Sequence, residues 1–182
     1  MRTSPRPQIA VFGSSTARES DPAYRVAYEL GRELATAGAD VMTGGYSGVM
    51  EACSRGAHEA GGQVVGVTVE LFEKRGPANR WVTERVHTRT LFERLEHLIT
   101  RADGFVVATG SVGTLAELML TWNLLAAGGR PPAPLVLMGR HWHAWIDAHR
   151  EPDLVLAELF RHLMVADTPA EAARLALGSR EV

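Results

Sequence analysis

The chain has 182 residues, 46% hydrophobic and 22% charged, with a formal net charge of −2. That is enough for one domain with a substantial core, and the near-neutral balance gives no support for nucleic-acid or anionic-membrane binding through bulk electrostatics. Cys53 is the sole cysteine, which rules out an intramolecular disulfide and points to a reducing compartment. The N-terminal Met1-Arg2-Thr3-Ser4-Pro5 lacks an apolar signal core, and no apolar stretch is long enough to span a bilayer, so a cytoplasmic protein without a membrane partner is expected.

Taken in order, Ile9-Ala10-Val11-Phe12 predicts a first strand ending in the small polar turn Gly13-Ser14-Ser15. Asp21-Pro22 supplies an N-cap with proline at the first helical position, and Tyr24, Ala27, Leu30 and Leu34 follow at helical spacing as far as Gly38. Asp40 to Thr43 reads as a second strand running into Gly44-Gly45-Tyr46-Ser47-Gly48, which opens a second helix, Val49 to Ala60. Gln63 to Val67 is a third strand, and the polar stretch Glu70 to Thr88 turns at Lys74-Arg75-Gly76-Pro77 before a short strand at Val82 to His87. Arg89 to Arg101 reads as a helix.

The stretch Phe105 to Glu117 carries the strongest signal. A buried apolar strand, Phe105 to Ala108, turns through Thr109-Gly110-Ser111-Val112-Gly113-Thr114 into a helix-favouring segment. Such a turn aims free backbone N–H groups and the positive end of a helix dipole at one point, where a phosphate fits. The plain alternative is a strand-to-helix turn closed by a capping box, Thr114-x-x-Glu117. Leu135 to Met138 is a further strand, and helices are expected at Trp142 to Ala148 and Leu154 to Phe160. Leu163 to Ala166 then enters a helix capped by Thr168-Pro169-Ala170-Glu171.

Strands alternating with helices predict a single α/β domain over 1–182: a doubly wound, Rossmann-like, mostly parallel sheet with helices on both faces. Ligands of such sheets bind beyond the carboxyl ends of the strands, at a switch in strand order. Three turns meet that description: Gly13 to Ser15, Gly44 to Gly48 and Thr109 to Thr114. Neither a G-x-G-x-x-G fingerprint nor a G-x-x-x-x-G-K-[ST] loop is present, so the expected ligand is a mononucleotide or sugar phosphate. The histidines His141, His143 and His149 have no carboxylate cluster beside them, and neither a metal nor a cofactor is expected. Cys53 reads as a small core residue and Glu51 as a charge compensating its helix dipole.

Gly44-Gly45-x-x-Gly48-x-Met50-Glu51-Ala52, followed by Gly56-Ala57 and Gly61-Gly62, resembles the first signature of the LONELY GUY (LOG) family. Phe105 to Glu117 resembles that family's P-G-G-x-G-T-x-x-E motif, and Arg94 matches its arginine nine residues before the aspartate at Asp103. The resemblance runs from about Ile9 to the final helix. It implies a Rossmann-like homodimer that hydrolyses nucleoside 5′-monophosphates, cytokinin riboside forms included, to free base and ribose 5-phosphate. Arg94 and Glu117 would then be the catalytic pair, with Ser14, Gly45, Gly48, Gly110, Ser111, Gly113 and Thr114 binding phosphate and nucleotide. Many relatives carry the label "lysine decarboxylase". That chemistry needs a Schiff-base lysine, and Lys74, in a predicted loop, is the only lysine here.

The chain departs from the family pattern at three places. Thr109-Gly110-Ser111 replaces Pro-Gly-Gly, bringing a Cβ where glycine permits close phosphate approach. Leu95 stands where family members usually have lysine, and Leu125 to Pro132 replaces Q-L-G-x-H-x-K-P. A second reading therefore stands beside the hydrolase: a non-catalytic carrier or sensor binding a nucleotide or the molybdenum cofactor.

Overall fold

The computed structural model describes residues 6–150 and 156–178. Seven strands form one parallel sheet: β1 (Gln8–Phe12), β2 (Asp40–Thr43), β3 (Val64–Val69), β4 (Glu84–Thr88), β5 (Gly104–Val107), β6 (Leu135–Met138) and β7 (Met164–Ala166). Six helices connect them or follow: α1 (Pro22–Thr36), α2 (Val49–Glu59), α3 (Leu91–Thr100), α4 (Val112–Ala126), α5 (His141–His149) and α6 (Pro169–Leu177). The spatial order is β4-β3-β2-β1-β5-β6-β7. The chain thus walks outward from β1 to β4, then returns through α3 to start again on the other side of β1. The switch in strand order lies between β1 and β5, which run in register from Ile9 opposite Gly104 to Phe12 opposite Val107.

Alternation along the strands sorts the side chains into two cores, as a sheet covered on both faces requires. Ile9, Val11, Val41, Val106 and Val136 pack with α1, α2 and α6 on one face. Ala10, Phe12, Met42, Phe105, Val107 and Leu137 pack with α3, α4 and α5 on the other. Helices α1 and α2 cross closely because glycines meet the partner backbone. A Cβ at Gly31 would lie 2.0 Å from the Cys53 carbonyl oxygen, and one at Gly56 would lie 1.9 Å from that of Tyr28. Cys53 is fully buried there, and burial pushes its thiol up to about 12, the behaviour of a core residue.

The α/β sheet read from the sequence is the sheet observed, with strand ends shifted by a residue or two. Thr168 accepts from the Glu171 backbone N–H at 3.2 Å, the expected cap of α6, while Glu171 reaches back one residue past the N-cap, accepting from the Asp167 N–H at 3.0 Å. The helix expected over Leu154 to Phe160 is instead a 3-10 segment, Ala157–His162. The start of that expectation, Leu154 and Val155, lies outside the described residues, as do Met1 to Pro5. Among the described residues no helix is long and apolar enough to cross a membrane.

Candidate functional site

Beyond the carboxyl ends of β1, β2 and β5, three loops are held together by backbone hydrogen bonds. The Ser14 N–H donates to the Thr109 carbonyl oxygen at 3.0 Å, and the Val49 N–H donates to that of Ser14 at 2.8 Å. Gly48 makes the second contact possible. It has φ +74°, and a Cβ on it would lie 2.3 Å from the Ser14 carbonyl oxygen. The result is a cleft of about 260 Å³ at the switch point of the sheet.

Helix α4 opens onto this cleft, but not as the Thr114-x-x-Glu117 capping box requires. It begins at Val112, with Ser111 at the N-cap position and no side-chain cap. Thr114 is therefore already in the first helical turn, and Glu117 is not tied to the helix start. Its side chain turns to Arg94 instead. Arg94 is carried by α3, whose own start is fixed by Thr90 accepting from the Glu93 N–H at 3.1 Å and by Glu93 accepting from the Arg89 N–H at 2.9 Å. The Arg94 Nε donates to the Val67 carbonyl oxygen at 2.8 Å, and its Nη1 donates to Glu117 Oε1 at 3.3 Å.

Both partners are deep: Arg94 is 5% exposed and Glu117 8%. Burial pushes the Glu117 carboxyl up to about 7 from an ordinary 4.5, while the Arg94 charge and hydrogen bond pull the other way. A carboxyl so poised exchanges its proton near neutral pH, which suits general acid–base work. Arg94 beside it can hold an oxyanion or a sugar hydroxyl.

Of the residues singled out from the sequence, Ser14, Arg94, Ser111, Gly113, Thr114 and Glu117 line the cleft. Gly45, Gly48 and Gly110 are not among the lining residues. They shape the loops around it: Gly45 has φ +78° and donates its N–H to Thr43 Oγ1 at 3.1 Å, and a Cβ on Gly110 would lie 2.0 Å from Thr114 Oγ1. Gly44, in a turn already read as facing the ligand, and Met50 and Phe72, which were not site candidates, also line the cleft. Gly44 is the slot for the guanidinium, since a Cβ there would lie 1.9 Å from Arg94 Nη2; its neighbour Met50 forms part of the wall. Phe72 comes from a 3-10 turn, Glu70–Arg75, inside the stretch that reads only as polar and irregular. The glycine pair was the one available signal for Gly44, and no periodicity announces Phe72.

The histidines lie elsewhere. His143 Nε2 meets Asp167 Oδ1 at 3.1 Å, and His149 Nδ1 meets the Trp145 carbonyl oxygen at 2.7 Å. Among the described residues no group of three or more His, Cys, Asp or Glu side chains is placed to hold a metal ion.

The comparisons with known proteins fit this geometry. The chain is 28% identical over 172 residues to the cytokinin riboside 5′-monophosphate phosphoribohydrolase of Mycobacterium tuberculosis, covering 91% of each chain. The molybdenum cofactor carrier protein of Chlamydomonas reinhardtii superimposes with a TM-score of 0.69 at 27% identity, covering 93% of this chain and 94% of that one. The molybdenum cofactor binding protein of Rippkaea orientalis shares the fold, with a TM-score of 0.71 at 22% identity over 92% of this chain and 93% of its own. Residues 6–127, from β1 through α4 and so through every loop of the cleft, match the SLOG cluster4 family; this chain is a LOG-type member of it.

Proposed function

We propose that this protein is a phosphoribohydrolase that cleaves the N-glycosidic bond of AMP-like or cytokinin riboside 5′-monophosphates to free base and ribose 5-phosphate. The observation that carries the reading is the buried Arg94–Glu117 pair in the wall of a cleft whose other polar surface is the start of α4. The 5′-phosphate is bound at Ser111, Gly113 and Thr114, where the first amides of α4 and the Thr114 hydroxyl converge. The ribose then lies one helical turn along, against Glu117. As the C1′–N bond breaks, the Glu117 carboxylate stabilises the oxocarbenium-like centre and takes the proton of the attacking water. The water oxygen bonds to C1′, the base leaves with the bond's electron pair and takes up the proton that Glu117 removed from the water, restoring the carboxylate, and Arg94 holds that carboxylate and the sugar in place.

A carrier reading has one specific support, the likeness to the Chlamydomonas carrier over almost the whole chain. The buried carboxylate argues for turnover. A binding site for an anionic phosphate gains nothing from an acidic group on its wall, whereas an oxocarbenium-like centre does. The exposed apolar side chains of α3 and α4, Phe92 and Val112 at 83% and 80% exposure, give a second copy a surface to cover in the homodimer that completes this reading. The test is to incubate the purified protein with a panel of nucleoside 5′-monophosphates and follow free base. Release from wild type, lost in Glu117→Gln, is the expected result. Tight binding with no base released by wild type would replace the hydrolase with the carrier.

A further inference from the structure

We infer that the phosphate end of the cleft is a cradle of neutral donors: the hydroxyls of Ser15, Ser111 and Thr114 hold the anion together with the first amides of α4, and no cation takes part. The inference rests on the placing of the 5′-phosphate at the start of α4 in the reading above. It adds Ser15 as a ligand, a residue that the sequence presents only as part of a turn. All three residues line the cleft. Thr114 carries the most weight. It is 3% exposed, yet among the described residues its hydroxyl has no hydrogen-bond partner. Hydroxyls that deep are ordinarily paired, so the missing partner is sought in the cleft. Ser111 stands at the N-cap position of α4 but makes no cap bond, which leaves its hydroxyl to the cleft as well.

The first loop offers two serines, and the structure distinguishes them. The Ser14 hydroxyl is occupied within its own turn, accepting from the Thr16 N–H at 3.1 Å and sharing a proton with Thr16 Oγ1 at 2.9 Å. Ser15 is the opposite case. Its carbonyl oxygen accepts from Ser47 Oγ at 2.9 Å, which fixes the residue, while its hydroxyl is unpaired among the described residues. A Cβ on Gly48 would lie 2.8 Å from Ser15 Cα, so the β2 loop packs directly against it. The β1 and β5 loops leave the sheet on neighbouring paths, because their ladder continues past the strand ends. The Ala108 N–H donates to the Phe12 carbonyl oxygen at 2.8 Å, and the Ser14 N–H to that of Thr109 at 3.0 Å. Arg94 is the one cation among the lining residues, and it is committed to the Val67 carbonyl oxygen and to Glu117, with Nη2 packed at Gly44. Leu95 beside it stands where the family usually has lysine. A hydroxyl donates one bond and still accepts, so a set of them can follow a tetrahedral oxyanion without the desolvation that a buried ammonium costs.

The experiment is calorimetric titration of the full chain with ribose 5-phosphate, the product of the proposed reaction, with the melting temperature of each variant measured alongside. Ser15→Ala and Ser111→Gly are each expected to weaken binding about tenfold or more, the loss of one hydrogen bond to a charged group, with the melting temperature unchanged. Ser15→Cys, close in size but a poor donor, should fall with Ser15→Ala. Ser111→Gly restores the family residue, so an affinity that rises instead would show that the serine Cβ obstructs the anion, and overturns the cradle. Raising salt from about 50 mM to about 500 mM should change wild-type affinity by less than about threefold, since no free cation contributes; a steep fall would reveal one and overturn the neutral assignment. Equal affinity in wild type and the serine variants also overturns the inference. So does a loss matched by a fall in melting temperature, which would make the hydroxyls props of the loops. Base release from AMP is followed separately. Cleavage by wild type, with ribose 5-phosphate binding indifferent to the serines, refutes the cradle and keeps the hydrolase; hydroxyl-dependent binding with no cleavage keeps the cradle and removes the hydrolase.

Discussion

Glu117→Gln should separate stability from activity in a pH-dependent way. In the folded chain burial holds the Glu117 carboxyl at about 7, against 4.5 in its ordinary state. The folded state therefore binds this proton more tightly than the unfolded chain does. Between those two values the native protein carries a proton that the unfolded chain has lost, so stability falls as pH rises through the window and is flat above it. Ionising the group in place costs about 3 kcal/mol at the alkaline end, and between pH 5 and pH 8 about 2 kcal/mol of that should appear. Glutamine does not titrate, so the variant escapes this loss. Whatever it costs to leave the Arg94 cation without a counter-charge is the same at both pH values and cancels in the comparison. Urea unfolding of both proteins at pH 5 and pH 8 measures the effect: the stability difference, variant minus wild type, should rise by about 2 kcal/mol on going to pH 8. A difference that stays constant, or shifts the opposite way, would show that the carboxyl is not held protonated by burial, and the argument for its acid–base role would lose its basis.

Two further substitutions probe how Arg94 is placed. Gly44→Ala puts a methyl group 1.9 Å from Arg94 Nη2 and 2.6 Å from Met50 Sδ, both ends of flexible side chains. The fold should survive with little change in melting temperature while base release falls about 100-fold, because the guanidinium is pushed off Glu117; unchanged turnover would make its position irrelevant. Arg130→Ala removes two bonds that close the far end of α3, Nη1 to the Ile99 carbonyl oxygen at 2.6 Å and Nη2 to that of Ala102 at 2.9 Å. Denaturant unfolding should show a loss of about 2 kcal/mol, and a loss near zero would mean that water caps those carbonyls equally well.

The sheet was legible because its signal is local. Apolar runs of about four to six residues are what a strand buried on both faces needs, and β1, β3, β5 and β6 lie where such runs occur, whereas the edge strand β4 is polar and mostly exposed. Glu117 and Arg94 were reachable only through the family resemblance, since 23 positions separate them and nothing in either helix says that they face each other. The capping-box reading of Thr114 and Glu117 failed for a comparable reason. The start of α4 is set by its place against the β1 loop, through the Ser14 to Thr109 bond, and not by its own cap residues. Phe72 was missed, and Gly44 was read only as part of a ligand turn and not as the slot for Arg94, because these roles exist only once β2, β3 and α3 are assembled. The 3-10 turn that carries Phe72 has no period to read.

The altered Thr109-Gly110-Ser111 turn bears most directly on whether the cleft can work. The expectation was that a Cβ at the third position hinders both a positive φ and close phosphate approach, or that the serine hydroxyl helps bind. Ser111 has φ −111° and ψ −158°, extended geometry that any residue adopts, so no glycine is demanded there. The demand falls on Gly110, where a Cβ would lie 2.0 Å from Thr114 Oγ1, and that glycine is present. Thr109 contributes its carbonyl oxygen to the Ser14 N–H, a role its side chain does not touch. The substitution therefore keeps the one close approach that shapes the turn and adds a hydroxyl that makes no cap bond of its own at the edge of the cleft. A turn that had lost its purpose would have no reason to keep the tightest of its glycines beside a buried carboxyl held near neutrality, which is why the departure weighs less against catalysis than its place in the motif suggests.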